Sequence, residues 1–174
     1  MSEQYASDSA ATHKQQAAGR VGCAVITVSD TRSMKNDKSG QTIVDLLDTD
    51  GHQVIERAIV PDEPTQVEVL VMKFVEAAKI EAILLTGGTG VAPRDQTPET
   101  LAKLYTKELP GYGELFRVLS YNEIGPAAML SRASGGMVGD TLVLAMPGST
   151  PAVRLAMEKL ILPELGHLVA HGRG

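Results

Sequence analysis

Residues 21–28 (VGCAVITV), 81–85 (EAILL) and 141–146 (TLVLAM) are apolar at almost every position. A strand with one wet face alternates apolar and polar residues, whereas a run without alternation is covered on both faces. Residues 53–60 alternate more and read as another strand. Helical spacing fills the intervals between these runs. Ser39 can cap a helix that carries Ile43, Val44, Leu46 and Leu47 and stops at Gly51. Pro64 opens a second helix, with Val67, Leu70, Val71, Phe74, Val75 and Ala78 on one side. Thr97 can cap a third, with Pro98 in its first turn, and residues 111–122 read as a fourth with Leu115, Val118 and Leu119 inward. Residues 125–141 are Gly-rich and read as irregular. A last helix follows Pro151 with Val153, Ala156, Met157, Leu160 and Ile161, and Pro163 should kink or interrupt it. Strands alternating with helices predict an α/β fold: three layers, with a mostly parallel sheet between helices on both faces.

Composition narrows the function. With 174 residues and 43% hydrophobic content, the chain can bury one core, and residues 21–174 read as one domain. Residues 1–20 are polar, without the apolar stretch of a signal peptide, and read as a loose tail. No run approaches the roughly 20 apolar residues of a membrane span. A net charge of -5 and 3% aromatic residues argue against nucleic acid as a partner. The single cysteine, Cys23, excludes an internal disulfide and reads as a small buried hydrophobe in a cytoplasmic protein. His13, His52, His167 and His171 are scattered, and no spacing suggests zinc.

In a parallel sheet, ligands bind beyond the carboxyl ends of the strands. Turns 29–32, 86–95 and 147–150 all follow apolar strands and should meet on one edge, with 61–64 able to join them. Thr86-Gly87-Gly88-Thr89-Gly90 places bare amides where a backbone can close on a ligand, with two hydroxyls beside them. The stretch lacks the Gly-Lys-Ser/Thr of a Walker loop and the spacing of a dinucleotide fingerprint. On local sequence a plain strand-to-helix turn explains it as well as an anion cradle does. Pro147-Gly148-Ser149 has the same chemistry, with helix capping as its simpler reading. Asp30, Asp37, Asp62 and Asp95 stand beside these donors. Carboxylates next to phosphate donors make sense if they hold Mg²⁺, which binds through one or two carboxylates plus substrate phosphates. Arg132 reads by default as a surface residue.

The blocks TVSDTRS (27–33), DKSG (37–40), IVPDE (59–63), LLTGGTGVAPRDQTPE (84–99), LPGYGE (109–114), LSR (130–132) and MPGS (146–149) occur in series. In this order they resemble the MoaB/Mog family of molybdenum-cofactor biosynthesis proteins, the molybdopterin adenylyltransferases. Ala145 before Met-Pro-Gly resembles the MoaB branch. The resemblance implies an α/β molybdopterin-binding fold and the activation of molybdopterin by ATP and Mg²⁺, giving AMP-molybdopterin and pyrophosphate. It places the essential acids on Asp62 and Asp95, as catalytic groups and Mg²⁺ ligands. Substrate contacts fall on Ser29, Asp30, Thr86, Gly87, Gly88, Thr89, Gly90, Ser131, Pro147, Gly148 and Ser149. It further implies a homo-oligomer, trimer or hexamer, and a partner that inserts molybdate. The alternative is a non-catalytic molybdopterin carrier of the same pathway.

Overall fold

A computed structural model describes residues 19–174. The expected tail falls almost entirely on residues 1–18, outside the described residues. Strands β1 (Gly22–Val28), β2 (Gln53–Val60), β3 (Ala82–Thr86), β4 (Lys107–Glu108), β5 (Ser134–Val138) and β6 (Thr141–Met146) form one sheet. Its order is β2-β1-β3-β6-β5-β4. The β2-β1-β3-β6 block is parallel, while β5 and β4 extend it antiparallel. The helices are α1 (Lys38–Thr49), α2 (Pro64–Val75), α3 (Thr97–Ala102), α4 (Pro110–Ile124), α5 (Thr150–Ala156) and α6 (Leu165–Arg173).

Side-chain parity along the unbroken apolar strands builds two cores. Cys23, Val25, Leu84, Leu142, Leu144 and Met146 face one side, against Ile43 and Leu47 of α1, Phe116 of α4 and Val153 of α5. Ala24, Ile26, Val28, Ile83, Leu85, Val143 and Ala145 face the other, against Val67, Val71 and Phe74 of α2 and Leu101 of α3. This is the three-layer α/β architecture expected from the missing alternation. Cys23 is fully buried and burial pushes its thiol up to about 12, so it packs as a hydrophobe. His52 is buried too, its Nδ1 accepting from the Val21 amide at 3.1 Å. Pro163 does interrupt the last helix: a π segment (Met157–Ile161) follows α5, and the chain turns before α6.

Four local expectations change. The cap of α1 is Asp37, which accepts from the Gly40 amide at 3.0 Å, and Ser39 lies buried inside the first turn. Thr97 is the first residue of α3 rather than its cap, and its amide donates to Gly88 O at 3.1 Å. Residues 125–141 are ordered: a 3₁₀ turn (Gly125–Leu130) precedes β5, and Gly139-Asp140 closes a two-residue hairpin into β6. Gly135 and Gly136 weakened that strand's pattern, yet each leaves room that a side chain would take from Tyr112 and Tyr105. The fourth change is the phase of α4. Tyr112, Phe116 and Ser120 face the core, whereas Leu115 and Val118 are exposed.

Candidate active site

Backbone and side-chain bonds draw the expected turns together at the carboxyl ends of the parallel strands. The Ser29 amide donates to Val60 O at 2.9 Å, and the Asp62 amide donates to Asp30 Oδ1 at 3.2 Å. The Gly87 amide donates to Met146 O at 3.1 Å, and Thr86 Oγ1 donates to Pro147 O, also at 3.1 Å. Arg32 crosses from the first turn to Gly148 O at 2.8 Å. The 61–64 turn therefore joins the other three on one edge.

The glycines are needed where they stand. Gly87 has φ +107°, and a Cβ there would lie 2.2 Å from Val28 O. Gly88 has φ +64°, and its Cβ would lie 2.2 Å from Thr97 Oγ1 and 3.1 Å from Asp62 Oδ1. A side chain at either position meets a positive-φ penalty and a collision. The loop thus packs against the β1 end on one side and against α3 and Asp62 on the other.

A cleft of about 420 Å³ opens above this loop. Gly87, Gly88, Thr89, Gly90 and Asp95 form one wall, and Pro147, Gly148 and Ser149 form the next. Phe116, Ile124, Ala128 and Leu130 supply an apolar wall that the sequence reading had not assigned to a site. Ser131 completes it, and its hydroxyl is buried without a hydrogen-bond partner among the described residues. A buried orphan hydroxyl costs free energy that a ligand acceptor or donor would recover. One side of the cleft is therefore polar backbone, the other aliphatic and aromatic, a size and asymmetry typical of small-molecule sites.

Several of the expected side chains are engaged within the protein. Thr86 is fully buried and its hydroxyl is committed to Pro147 O, so it ties two turns together. Ser29 Oγ accepts from the Thr31 and Arg32 amides at 3.3 Å, and Ser149 Oγ accepts from Ala152 N at 3.3 Å as the cap of α5. Asp37 is buried away from the cleft, where Arg57, Arg32, Thr27 and Gly40 satisfy it. Asp30 and Asp62 are not among the residues lining the cleft; Asp62 stands beside Gly88, its Oδ1 3.1 Å from where a Cβ there would lie. Asp30 Oδ2 pairs with Arg94 at 2.9 Å. Arg132 is no simple surface residue: its Nε donates to Gly90 O at 2.8 Å.

Neighbouring acids nonetheless act on Asp62. Burial raises the Asp62 carboxyl above its ordinary value, and the charges of Asp95 and Asp30 raise it further. Arg94 and the Gln96 amide pull the other way without winning. Anionic charge is thus crowded beside a loop of bare amides. A divalent cation would relieve that crowding. Among the described residues no three His, Cys, Asp or Glu side chains converge to hold a metal alone. Mg²⁺ takes one or two carboxylates and completes its shell with phosphate oxygens and water. Asp62 and Asp95 are the two carboxylates that would serve.

Comparison with known proteins agrees with the blocks read in the sequence. Residues 24–167 match a family model described as a probable molybdopterin binding domain. Molybdenum cofactor biosynthesis protein B of Bacillus subtilis is 49% identical over 158 residues, covering 90% of this chain and 93% of the relative. A crystal structure of a molybdenum cofactor biosynthesis protein B superposes with a TM-score of 0.86 at 47% identity, covering 88% of this chain and 96% of that one. The tungsten cofactor synthesizing protein MoaB of Pyrococcus furiosus gives 0.83 at 34% identity, over 91% and 100%. With its family model spanning most of the sheet and both walls of the cleft, the chain belongs to the molybdopterin-binding MoaB/Mog family of molybdenum-cofactor biosynthesis proteins.

Proposed function

We propose that the protein adenylylates molybdopterin with Mg-ATP. The supporting observation is the pressure that the charges of Asp95 and Asp30 place on the half-buried Asp62, next to a glycine loop that forms one wall of a half-apolar cleft. The apolar wall suits a flat pterin, and the amide wall suits its terminal phosphate. An oxygen of that phosphate attacks the α-phosphorus of ATP; the new P–O bond forms as the bond to the β-phosphate's bridging oxygen breaks, and pyrophosphate leaves. The attacking phosphate is already ionised at neutral pH, so no general base is needed. The chain's task is positioning, with two anions held in line. Amides of Gly87, Gly88 and Gly90 orient one phosphate, and Asp62 and Asp95 would hold Mg²⁺. That ion supplies charge neutralisation between substrates and on the leaving group. In this reading the reaction runs in the cytoplasm, and a molybdate-insertion protein would receive the product. The test is incubation with molybdopterin, ATP and Mg²⁺. Stoichiometric pyrophosphate and an AMP adduct are expected. Tight molybdopterin binding without pyrophosphate would leave the carrier reading, which the cleft and its orphan Ser131 hydroxyl would equally serve.

We further infer a homo-oligomer built through α4. Leu115, Val118, Tyr121 and Ile124 recur every three residues along its exposed side, and Met129 and Leu130 continue the stripe. The opposite side of α4 is in the core, so the helix is apolar on both flanks. Exposed apolar stripes of this kind mark association surfaces, and a second copy supplies an equal one. Val118→Asp should reduce the mass seen by sedimentation to that of a monomer. An unchanged oligomer would place the interface elsewhere.

A further inference from the structure

We propose that Arg132 is the positioning residue that holds Asp95 against the glycine loop; this rests on the adenylylation reading for its catalytic consequence but not for its structural one. Arg132 follows the 3₁₀ turn and stands in the extended link before β5. Its guanidinium reaches across to the loop that leaves β3. Nε donates to Gly90 O at 2.8 Å, a terminal nitrogen donates to Asp95 O, and the other terminal nitrogen pairs with Glu99. One planar group thus grips the carbonyls at both ends of the 90–95 loop and the first turn of α3. That pairing also acts on Glu99: burial works against its ionisation, yet the Arg132 hydrogen bond and charge hold it below its ordinary range.

Arg132 grips the backbone of Asp95, while the Asp95 carboxylate bonds within the loop. Its Oδ2 accepts from the Ala92 amide at 2.9 Å, and its own amide returns to Ala92 O at 2.9 Å. These are bonds within the loop, so they shape it without anchoring it. The second external tie is Arg94, which meets Asp30 at 2.9 Å and Glu63 at 3.4 Å. Arg94 is 62% exposed, and solvent screens such pairs to little value. Arg132 is 30% exposed and donates to two separate backbone carbonyls, so its grip dominates. The fit is close: a Cβ on Gly90 would lie 2.7 Å from Asp95 Oδ2, so any loosening of the loop moves this carboxylate relative to the amide wall. Three of Arg132's five N–H donors are committed within the protein, and Arg132 does not line the cleft, so its role is to support the site.

A lysine carries the same charge but offers a point donor in place of a planar fork. This separates grip from charge. The experiment compares wild type with Arg132→Ala and Arg132→Lys, reading amide hydrogen exchange at Ala92 and Asp95 together with steady-state kinetics and molybdopterin binding. Both variants should exchange these two amides about tenfold faster or more, lower kcat by about tenfold or more and raise the Mg²⁺ concentration needed for half activity. Molybdopterin affinity should stay within about threefold, because the apolar wall is untouched. If alanine prevents folding, the lysine variant alone carries the comparison. Wild-type exchange in either folded variant, or full activity with lysine, overturns the assignment. If the wild-type protein transfers no AMP, the adenylylation reading fails, while the exchange rates still decide whether Arg132 holds the loop.

Discussion

Asp37→Asn should destabilise the fold by about 3–5 kcal/mol, the usual cost of removing one partner from a buried ionic cluster. The Asp37 side chain is fully buried, with Thr27 Oγ1 donating to it at 2.7 Å, the Gly40 amide at 3.0 Å and Arg57 at 3.1 Å. Arg32 approaches the second oxygen at 3.4 Å and continues to Gly148 O. Asparagine keeps the shape, but it leaves Arg57 and Arg32 facing a neutral group and cannot accept on both sides. The damage should spread to the cleft, because Arg32 is the link from this cluster to the 147–150 turn. The pH dependence follows from the same bonds. Burial works against ionisation of Asp37, but the Thr27, Gly40 and Arg57 bonds outweigh it and hold the carboxyl below its ordinary 3.8. A depressed carboxyl contributes its stability in full above the unfolded value and loses it as pH falls through the folded value. Denaturant unfolding of wild type should therefore weaken progressively below about pH 4, and the asparagine variant should lack this share of the acid dependence. Equal midpoints for the two proteins at pH 7 would show that the cluster is not what secures this corner.

Asp62→Asn and Asp95→Asn should each lower adenylyl transfer by about 100-fold or more, near 2.7 kcal/mol of transition-state stabilisation. Molybdopterin binding should persist, since the apolar wall and the Gly148 turn remain. The double variant should cost far less than the product of the singles, because two carboxylates that share one ion act as a unit. Stability should move in the opposite direction from activity for Asp62. Its carboxyl is raised by burial and by Asp95 and Asp30, so the anion is strained in the folded state at neutral pH. Asparagine removes that repulsion, and the melting temperature should stay level or rise. A residue whose charge opposes folding, and whose loss abolishes turnover, behaves as a functional site rather than a structural one. Near-normal turnover in both single variants would remove these acids from the mechanism.

The sheet and its two helical layers were legible in the chain because burial on both faces leaves no alternation, and residues 21–28, 81–85 and 141–146 have none. The glycine loop was legible as well, since residues 87 and 88 take positive φ, which side chains disfavour and glycine does not. What the sequence could not say is which polar groups remain free. Thr86, Ser29, Ser149 and Asp37 all look like ligand donors or acceptors in one dimension, yet each is committed to a neighbour close in sequence or across the sheet edge. Nor could it assign α4, where apolar residues line both sides and only packing against the sheet selects Phe116 over Val118. Strand β5 was hidden by Gly135 and Gly136, whose missing side chains make sense only once Leu144, Tyr112, Lys107 and Tyr105 close around them. Local composition thus determined the layers and the bare amides of the loop. Tertiary contact decided the free hydroxyl at Ser131, the crowding around Asp62 and the reach of Arg132 to Gly90, because each depends on distances between segments far apart in the chain.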